Sequence, residues 1–282
     1  MFFVGLFILL FSVFGGYLAI GGNIAVLFKP SEWLIIVGAA IGSYIIANPP
    51  IVRNDMLKSL KNLLKGTPYT KDHYMQVLMF MFNFFKYSHA NGIVELENHI
   101  DNSEKSEIFN KYDIMIKDQD VNTFFCDYFR MVVLGFDDFR ELENMMENDI
   151  ESRKFHTYAV SQSLIKIGDA LPALGIVAAV LGVITAMSSV GSDPSILAPK
   201  IASALVGTFI GAFTAYGLVN PIGYFLAKFS EDEIKFLECI KSGIIAHLSG
   251  YPPTVSIEFA RQAIPDAYKP SFAEIETGIE NI

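Results

Sequence analysis

The chain has 282 residues, of which 52% are apolar and 18% are charged, and its formal net charge at pH 7 is -9. This apolar fraction, with a mean hydropathy of +0.38, exceeds what one soluble core requires and predicts an integral membrane protein. The acidic balance provides no basic surface that would displace counterions from nucleic acid, so a nucleic-acid-binding role is excluded.

Four apolar runs have close to the roughly 20 residues that a helix needs to cross a bilayer. These runs are residues 2–20, 33–47, 170–190 and 201–227. The second is short, and Ser31, Glu32 and Asn48 are expected to extend its helix at the two ends. The first is read as a retained helix, because no Lys or Arg precedes it and no cleavage motif follows it. None of the runs has an acidic residue in its interior, so a carboxylate that carries an ion is expected elsewhere.

Basic residues set the predicted orientation. Lys and Arg lie at both ends of the segment between runs two and three and after run four, whereas the short connections carry only Lys29 and Lys200. The positive-inside rule therefore places the long segment, the tail and both termini in the cytoplasm. The prediction is an all-α integral membrane protein with four transmembrane helices, a helical cytoplasmic domain between helices 2 and 3, and long cytoplasmic extensions of helices 3 and 4.

The predicted domain organisation follows from these assignments. Transmembrane helices 1 and 2, the cytoplasmic helical domain, transmembrane helices 3 and 4, and a cytoplasmic C-terminal helix and tail are assigned to residues 1–48, 49–168, 169–228 and 229–282.

Helical periodicity is clear in the long charged segment. Helices are predicted over residues 69–89, 93–100, 121–134 and 137–168, with a turn at Asn91-Gly92 and the last helix continuing into the third span. The apolar face of the first helix is Tyr74, Val77, Leu78, Met81, Phe84 and Phe85. That of the last is Phe139, Leu142, Met146, Ile150 and Phe155. No strand pairs or repeats are predicted.

Small residues recur every four positions on the third and fourth spans. They are Ala178, Gly182 and Ala186, and then Ser203, Gly207, Gly211 and Ala215. Such ridges allow helix backbones to approach closely in lipid. They predict packing between these two helices, and a second possibility is that they surround helices of another chain.

Hydroxyl groups and prolines on the same spans suggest an ion path that can bend. Thr185, Thr208 and Thr214 offer oxygens to an ion, although a membrane threonine usually bonds to its own helix. Pro172 and Pro221 each remove one helical hydrogen bond and allow a bend. Asp169 is either an N-cap for the membrane part of its helix or the exit of the ion path.

Long motifs in these spans resemble the MotA-type flagellar stator family, within the MotA/TolQ/ExbB group. GDALPALGIVAAVLGV at residues 168–183 is similar to the third span of that family, and VGTF at 206–209 with AYG at 215–217 is similar to the fourth. Further matches are FGGY at 14–17, Gly21-Gly22, SEIF at 106–109, Gly250-Tyr251, Glu258-Phe259 and PSF at 270–272. The resemblance covers essentially the whole chain in the right order.

The resemblance implies a stator subunit in the bacterial inner membrane. Such subunits form a ring of five around two copies of a MotB-type partner, whose transmembrane helix carries the ion-binding aspartate. Ion flow is expected to turn the ring and push the rotor protein FliG. The resemblance assigns coupling to Pro172 and Pro221. It implies transported H⁺, with Na⁺ left open, and no cofactor.

Rotor binding is implied for the turn after the first cytoplasmic helix. His89 and Glu97 match positions where the family has an arginine and a glutamate, and Lys86 and Glu95 lie close by. His89 departs from the pattern, and histidine is only partly charged near neutral pH. Ordinary solvated charges are the simpler alternative for these side chains.

Two other functions stay open at this stage. An ExbB/TolQ-type ring subunit would have three spans instead of four, and a self-sufficient channel or transporter would need its own ionisable or unwound site in the membrane. An enzyme is not expected, because the sequence has no nucleophile motif or phosphate loop and its five histidines lack metal-ligand spacing. No metal site is predicted, and Cys126 and Cys239 are expected to be free thiols.

Overall fold

The computed structural model describes residues 2–63, 69–188 and 194–282, and the regular structure of these residues is helical, without a β-strand. The α-helices, α1 to α14 in chain order, are Phe2–Leu10, Gly16–Ala19, Ile24–Leu27, Pro30–Ala47, Pro50–Leu63, Lys71–Asn91, Glu97–Asp101, Asp113–Lys117, Gln119–Val133, Phe139–Met187, Pro194–Ala212, Asn220–Leu248, Pro253–Gln262 and Phe272–Glu280. The segments Phe11–Gly15 and Phe213–Val219 are π-helical, and short 3₁₀ turns occur at Val94–Leu96, Ser103–Lys105 and Phe109–Lys111.

The chain divides into two compact units. Unit 1 consists of residues 1–64 and 157–228, and unit 2 consists of residues 65–156 and 229–282. Unit 1 thus holds all the apolar runs described by the structure, and unit 2 holds most of the charged segment and the tail. Helices α10 and α12 contribute residues to both units.

Three helical stretches in the described ranges are long and apolar enough to cross a membrane. They are Pro30–Ala47, Phe139–Met187 and Leu197–Leu248. The first predicted run forms a shorter apolar helical stretch, Phe3–Ala19. It stops there because Gly21 adopts a φ of +81° and its N–H bonds to the carbonyl of Leu18, which closes a turn. Residues 189 and 190, at the end of the third predicted run, lie outside the described residues.

The core of unit 1 lies where α4 packs on α10 and α11. Its buried residues are Ile36, Ala40, Leu171, Ala178, Val206, Ile210 and Ala215. The small side chains among them allow the helix backbones to come close, and the branched side chains fill the space between them. As expected from the sequence, α4 includes Ser31 and Glu32 in its first turn.

The two π-helical segments of unit 1 contact each other. The rings of Phe14 and Phe213, one from each segment, meet edge to face with their centroids 5.3 Å apart. The second segment ends at Val219, two residues before Pro221. A proline has no backbone N–H, so Pro221 removes one hydrogen bond from the preceding helical turn. The wider π-helical turns lie at this position.

Unit 2 is built around α6. The six residues of its predicted apolar face are each 0 or 1% exposed, which confirms the helical pattern read from the sequence. The rings of Phe80 and Phe84 meet those of Phe125 and Phe129 on α9 at centroid distances between 4.8 and 4.9 Å. Edge-to-face aromatic packing of this kind stabilises the core beyond the burial of area alone.

The predicted apolar face of α10 is right for four residues and wrong for Phe155. Leu142, Met146 and Ile150 are buried and Phe139 packs partly buried against the same core, whereas Phe155 is 75% exposed. The buried positions are four residues apart, and Phe155 lies one residue beyond the next step, about 100° away around the helix. The helix itself runs from Phe139 through Met187 without a break, as the sequence predicted.

The last helix, α14, is fixed at its start by Ser271 and Glu274. The Ser271 hydroxyl accepts a hydrogen bond from the Glu274 N–H, and the Glu274 carboxylate accepts one from the Ser271 N–H at 2.7 Å. The same carboxylate pairs with Lys71 on α6 at 2.7 Å. The sequence predicted one C-terminal helix and a tail, and it did not predict α13 and α14 as separate helices.

Candidate membrane ion path and rotor-facing surface

Helices α10 and α11 approach each other through glycine. A Cβ atom added at Gly211 would lie 2.7 Å from the carbonyl oxygen of Leu171 and 2.8 Å from the Cα atom of Gly175. One added at Gly182 would lie 2.9 Å from the Cβ atom of Ala204. These distances are too short for any side chain, so the two backbones touch.

The predicted ridge residues Ala178 and Gly207 lie against each other in the same contact. Ala178 is fully buried, and a Cβ atom at Gly207 would lie 3.2 Å from its Cβ atom. Ala186 and Ala215 are also buried. The ridges of the two helices thus face each other within one chain.

A carboxyl group that the sequence placed at the edge of a run lies inside this packing. Glu32 is 5% exposed, and its Oε1 atom lies 3.4 Å from the hydroxyl of Ser203. Its Oε2 atom is buried and has no hydrogen-bond partner among the described residues. A Cβ atom at Gly207 would lie 3.0 Å from Oε2. No sequence pattern signals this arrangement, because the three residues belong to helices far apart in the chain.

The three candidate threonines differ in their surroundings. Thr185 is exposed, and its hydroxyl donates to the carbonyl of Leu181 at 2.9 Å. Thr214 is half-buried and donates to the carbonyl of Ile210 in its own helix. Thr208 is exposed on α11. Thr185 and Thr208 are therefore on the surface of unit 1, and the Thr214 hydroxyl donates its hydrogen bond within its own helix.

Asp169 is bonded to the neighbouring helix. Its Oδ1 atom accepts a hydrogen bond from Nδ2 of Asn220 at 2.8 Å. The cap interpretation is wrong, because α10 is continuous through this position and no helix begins there. Asn220 is 5% exposed and its Oδ1 atom has no partner in the part of the chain that the structure describes. Gly168 leaves the space that this amide occupies, since a Cβ atom there would overlap it.

This hydrogen bond joins the two predicted hinges. Pro172 lies three residues after Asp169 inside α10, and Pro221 follows Asn220 directly at the start of α12. The sequence analysis missed Asn220, although its position beside a proline was visible.

The predicted rotor-binding residues surround one turn of unit 2. Lys86 and His89 are in the last two turns of α6, Glu95 is in the 3₁₀ turn that follows, and Glu97 begins α7. All four are exposed. Between them Gly92 takes a φ of +89° and ends α6 with a hydrogen bond to the carbonyl of Ser88, at the predicted turn.

A histidine supports this end of α6 from within unit 2. The ring of His247 stacks on that of Phe85 with centroids 4.3 Å apart, and its Nε2 atom lies 3.3 Å from the hydroxyl of Ser88. Burial, together with the positive charge of His89, lowers the pKa of His247 to about 4. The ring is therefore neutral at physiological pH.

The two cysteines are buried thiols and not metal ligands in the part of the chain that the structure describes. Cys126 and Cys239 are free and buried, and burial raises the pKa of the Cys126 thiol to about 12. Within residues 2–63, 69–188 and 194–282, no three His, Cys, Asp or Glu side chains are grouped so that they could hold a metal ion.

Comparison with known sequence families gives two matches. Residues 3–92 match the family described as Motility protein A N-terminal, and residues 117–239 match the MotA/TolQ/ExbB proton channel family. The apolar helices fit a membrane protein, and the second match places the chain in the class of MotA/TolQ/ExbB proton channel proteins.

Individual relatives identify the branch within that class. The chain is 36% identical over 279 residues to Motility protein A of Escherichia coli (strain K12), covering 99% of this chain and 95% of that relative. It is 33% identical over 274 residues to Chemotaxis protein LafT of Vibrio parahaemolyticus, covering 97% and 96%. The chain belongs to the motility protein A family.

Solved structures share the fold. A Campylobacter jejuni structure, titled "Structure of C. jejuni MotAB", has a TM-score of 0.80 at 23% identity and covers 96% of this chain and 98% of that one. The flagellar MotAB stator complex from Bacillus subtilis has a TM-score of 0.74 at 22% identity, with 98% of each chain covered.

Family membership sets the function and the location. The chain is a flagellar stator subunit of the proton channel family and a protein of the bacterial inner membrane. An ExbB/TolQ-type ring and a self-sufficient transporter are not favoured, because the named relatives that match over nearly the whole chain are motility and chemotaxis proteins. The family is one of channel subunits and not of enzymes.

Proposed function

We propose that this chain forms a proton path together with a MotB-type partner, and that the path runs along α10 and α11. Five copies surround two partner helices, and the partner supplies the ion-binding aspartate. Both solved relatives described above are structures of MotAB, which supports a partner of this type.

The surface of α10 and α11 carries this proposal. Apolar side chains are exposed along it, among them Ile176, Val180 and Leu205, and the exposed hydroxyl residues Thr185 and Thr208 interrupt them. The sequence has no acidic residue from 170 to 187 in α10 or from 194 to 212 in α11. Because the group that carries an ion within the membrane is normally an ionisable side chain, a surface without a carboxylate requires one from the partner.

Four helices cross the membrane in this arrangement, with both termini in the cytoplasm. The three long apolar stretches and the shorter Phe3–Ala19 stretch support the count. Lys and Arg near the helix ends support the orientation. Unit 2 then lies in the cytoplasm.

Ion flow is converted into movement at the hinges. A potential of 100 mV supplies about 2.3 kcal/mol for each elementary charge, which is a modest step for a bistable element to convert. The Asp169 to Asn220 hydrogen bond links α10 and α12 beside Pro172 and Pro221, so a proton that reaches Asp169 weakens the link where both helices can bend.

The moving ring pushes the rotor protein FliG through the exposed surface of unit 2. Lys86 and Glu97 steer docking by their opposite charges, and His89 and Glu95 contribute beside them. His89 replaces the arginine of the family pattern, so part of the positive charge rests on Lys86.

Rotation in a defined strain tests the function and the ion together. Cells that lack their own stator genes receive this chain and its MotB-type partner, and rotation is recorded with and without sodium at constant pH. Rotation independent of sodium and abolished by a protonophore is expected. Rotation that requires sodium would contradict a proton path, and no rotation at all would contradict the stator role.

A further inference from the structure

Glu32 has an environment unlike that of the other acidic residues of unit 1. It lies in the first turn of α4, where a carboxylate ordinarily accepts backbone N–H groups or faces water. Here the side chain is 5% exposed, and its recorded hydrogen bond is with the Ser203 hydroxyl of α11. The carboxyl group therefore points away from its own helix end and into the packing of unit 1.

The site is shaped to receive this group. Gly207 has no side chain at the position where a Cβ atom would lie 3.0 Å from Oε2 of Glu32. Ala178 of α10 closes the other side, because the same Cβ atom would lie 3.2 Å from its methyl group. Three helices thus enclose one carboxyl oxygen that has no partner in the described ranges.

An ionised carboxylate is poorly accommodated there. Its one donor is the Ser203 hydroxyl at 3.4 Å, which is long for a hydrogen bond between oxygens. Burying an unpaired charge costs several kcal/mol, whereas a protonated carboxyl costs much less. A neutral side chain of the same size would fill this space equally well. Packing therefore does not explain why the residue at this position is a glutamate.

Within the described residues, the charged side chains of the segments before α4 and at the start of α11 are Lys29 and Lys200. Lys29 precedes α4 and attracts the carboxylate form. Lys200 lies one turn before Ser203 on the same side of α11. Helix α10 offers no charge near this point, since its ionisable residues end at Asp169. A neutral carboxyl group fits the enclosed position, and Lys29 is placed to compensate the charge of an ionised one.

We propose that Glu32 is a proton-binding site in the wall of the ion path, one that takes up a proton from water beside Lys29 and releases it toward the Ser203 side. The step forms one O–H bond and breaks another, so the carboxyl group returns to its starting state after each transfer. This inference rests on the proposed proton path and adds a site on this chain to the one on its partner.

Infrared spectroscopy of the purified complex with its partner detects the bound proton directly. The carbonyl stretch of protonated carboxyl groups is expected at neutral pH in the unaltered complex. Glu32→Gln is expected to remove one component of this band and to leave any contribution from the partner's aspartate and from Glu233. Glu276→Gln, which removes an exposed carboxyl group of α14, is the matched control and keeps the band. An identical band in Glu32→Gln would overturn the proposal.

Rotation at low load tests whether the site acts in conduction. Glu32→Gln is expected to slow rotation roughly tenfold or more, as for other positioned proton-transfer groups, and to flatten its dependence on external pH. Ser203→Ala keeps the acid and is expected to shift the pH profile without abolishing rotation. If Glu32→Gln fails to assemble with the partner, the pH profile of Ser203→Ala becomes the test of the site. A profile that is not shifted relative to the unaltered complex would contradict it.

The stator function and the Glu32 site can be distinguished by their outcomes. If the unaltered chain and partner do not rotate, the proposed function is wrong. If they rotate and the Glu32→Gln complex has the same speed and pH profile as the unaltered complex, the proton path is supported and the Glu32 site is wrong.

Discussion

Glu233 and His247 lie on α12 within unit 2, and burial changes their proton affinities in opposite directions. Burial, with repulsion from Asp120 and Asp118, raises the pKa of Glu233 to about 6. The pKa of His247 falls to about 4 for the reason given above. Both side chains are therefore held in environments that favour their neutral forms.

Glu233→Gln is expected to stabilise unit 2 at neutral pH. The pKa of Glu233 in the folded chain lies above its usual value of 4.5, so stability falls as pH rises from about 4.5 to 6. The charge then costs about 2 kcal/mol at pH 7, and glutamine removes that cost. Thermal melting of the detergent-solubilised chain should show a higher midpoint at pH 7.5, with little gain at pH 4.5. Glu151→Gln, at an exposed position of α10, is the control, and an equal gain there would contradict the argument.

His247→Phe is expected to make unit 2 less sensitive to acid. The folded chain binds the proton less tightly than the unfolded chain, whose histidine pKa is about 6.5, so stability falls as pH drops from about 6.5 toward 4. Phenylalanine keeps the stacking on Phe85 and cannot take up a proton. Melting midpoints at pH 7.5 and 5.5 should differ less in the variant, and an unchanged difference would show that His247 is not responsible.

Buried residues of unit 2 were predictable from the sequence because helical spacing alone selects the inward face of α6. The close contact of Gly211 with Gly175 was predictable as a tendency, since small residues four apart mark a packing ridge. The surroundings of Glu32 and Asn220 were not predictable, because each is defined by a residue on another helix more than fifty positions away. The local sequence pattern predicts which residues are buried. Whether a buried polar group has a hydrogen-bond partner depends on residues that are distant in the sequence.

At the scale of the element, α10 and α11 depend on contact between backbones. Gly211→Leu is expected to break this contact and to lower stability by about 1 to 3 kcal/mol or more, because the backbone of α10 cannot move aside as a side chain would. Assembly with the partner, measured by co-purification, should fall sharply. Gly42→Leu in α4 is the control, because a Cβ atom there meets no heavy atom within 4 Å. Normal assembly of Gly211→Leu would refute the packing argument.

Pro172 tests whether α10 must bend. Pro172→Ala restores a helical donor and is expected to stiffen the helix, since proline inside a helix is about 3 kcal/mol less favourable than alanine. The complex should assemble, and torque at high load should fall. Pro199→Ala removes a proline inside α11 that is not one of the predicted hinges, and it should leave torque unchanged. Full torque in Pro172→Ala would count against the hinge.

At the scale of the whole molecule, the proposed function gives unit 1 and unit 2 separate tasks. Unit 1 would hold the ion path and both predicted hinges, and unit 2 would hold the exposed charges that face the rotor. From hydropathy, the sequence predicts membrane helices within residues 1–48 and 169–228 and cytoplasmic segments over residues 49–168 and 229–282. The compact units follow contacts in space, and they group residues 49–64 and 157–168 with the apolar runs.

Rotor docking should respond to the charges of Lys86 and Glu97. Lys86→Glu combined with Glu97→Lys is expected to weaken binding of FliG about fivefold or more at low salt, and the difference should shrink as salt screens the charges. Swimming speed and binding by the solubilised complex measure the effect. Lys111→Glu with Glu276→Lys, at other exposed positions of unit 2, is the matched control. Equal binding by both double variants would leave no steering role for the pair.

The π-helical segment Phe213–Val219 has a consequence for comparing this chain with its relatives. A π-helical turn contains one residue more than an α-helical turn, so it is equivalent to an insertion of one residue into a regular helix. Side chains after Val219 are therefore turned by about 100° from where a uniform helical wheel drawn from Thr208 would place them. Where a relative lacks the segment, the alignment needs a gap of one residue before Asn220, and an ungapped alignment would assign residues from the wrong side of the helix to the hinge.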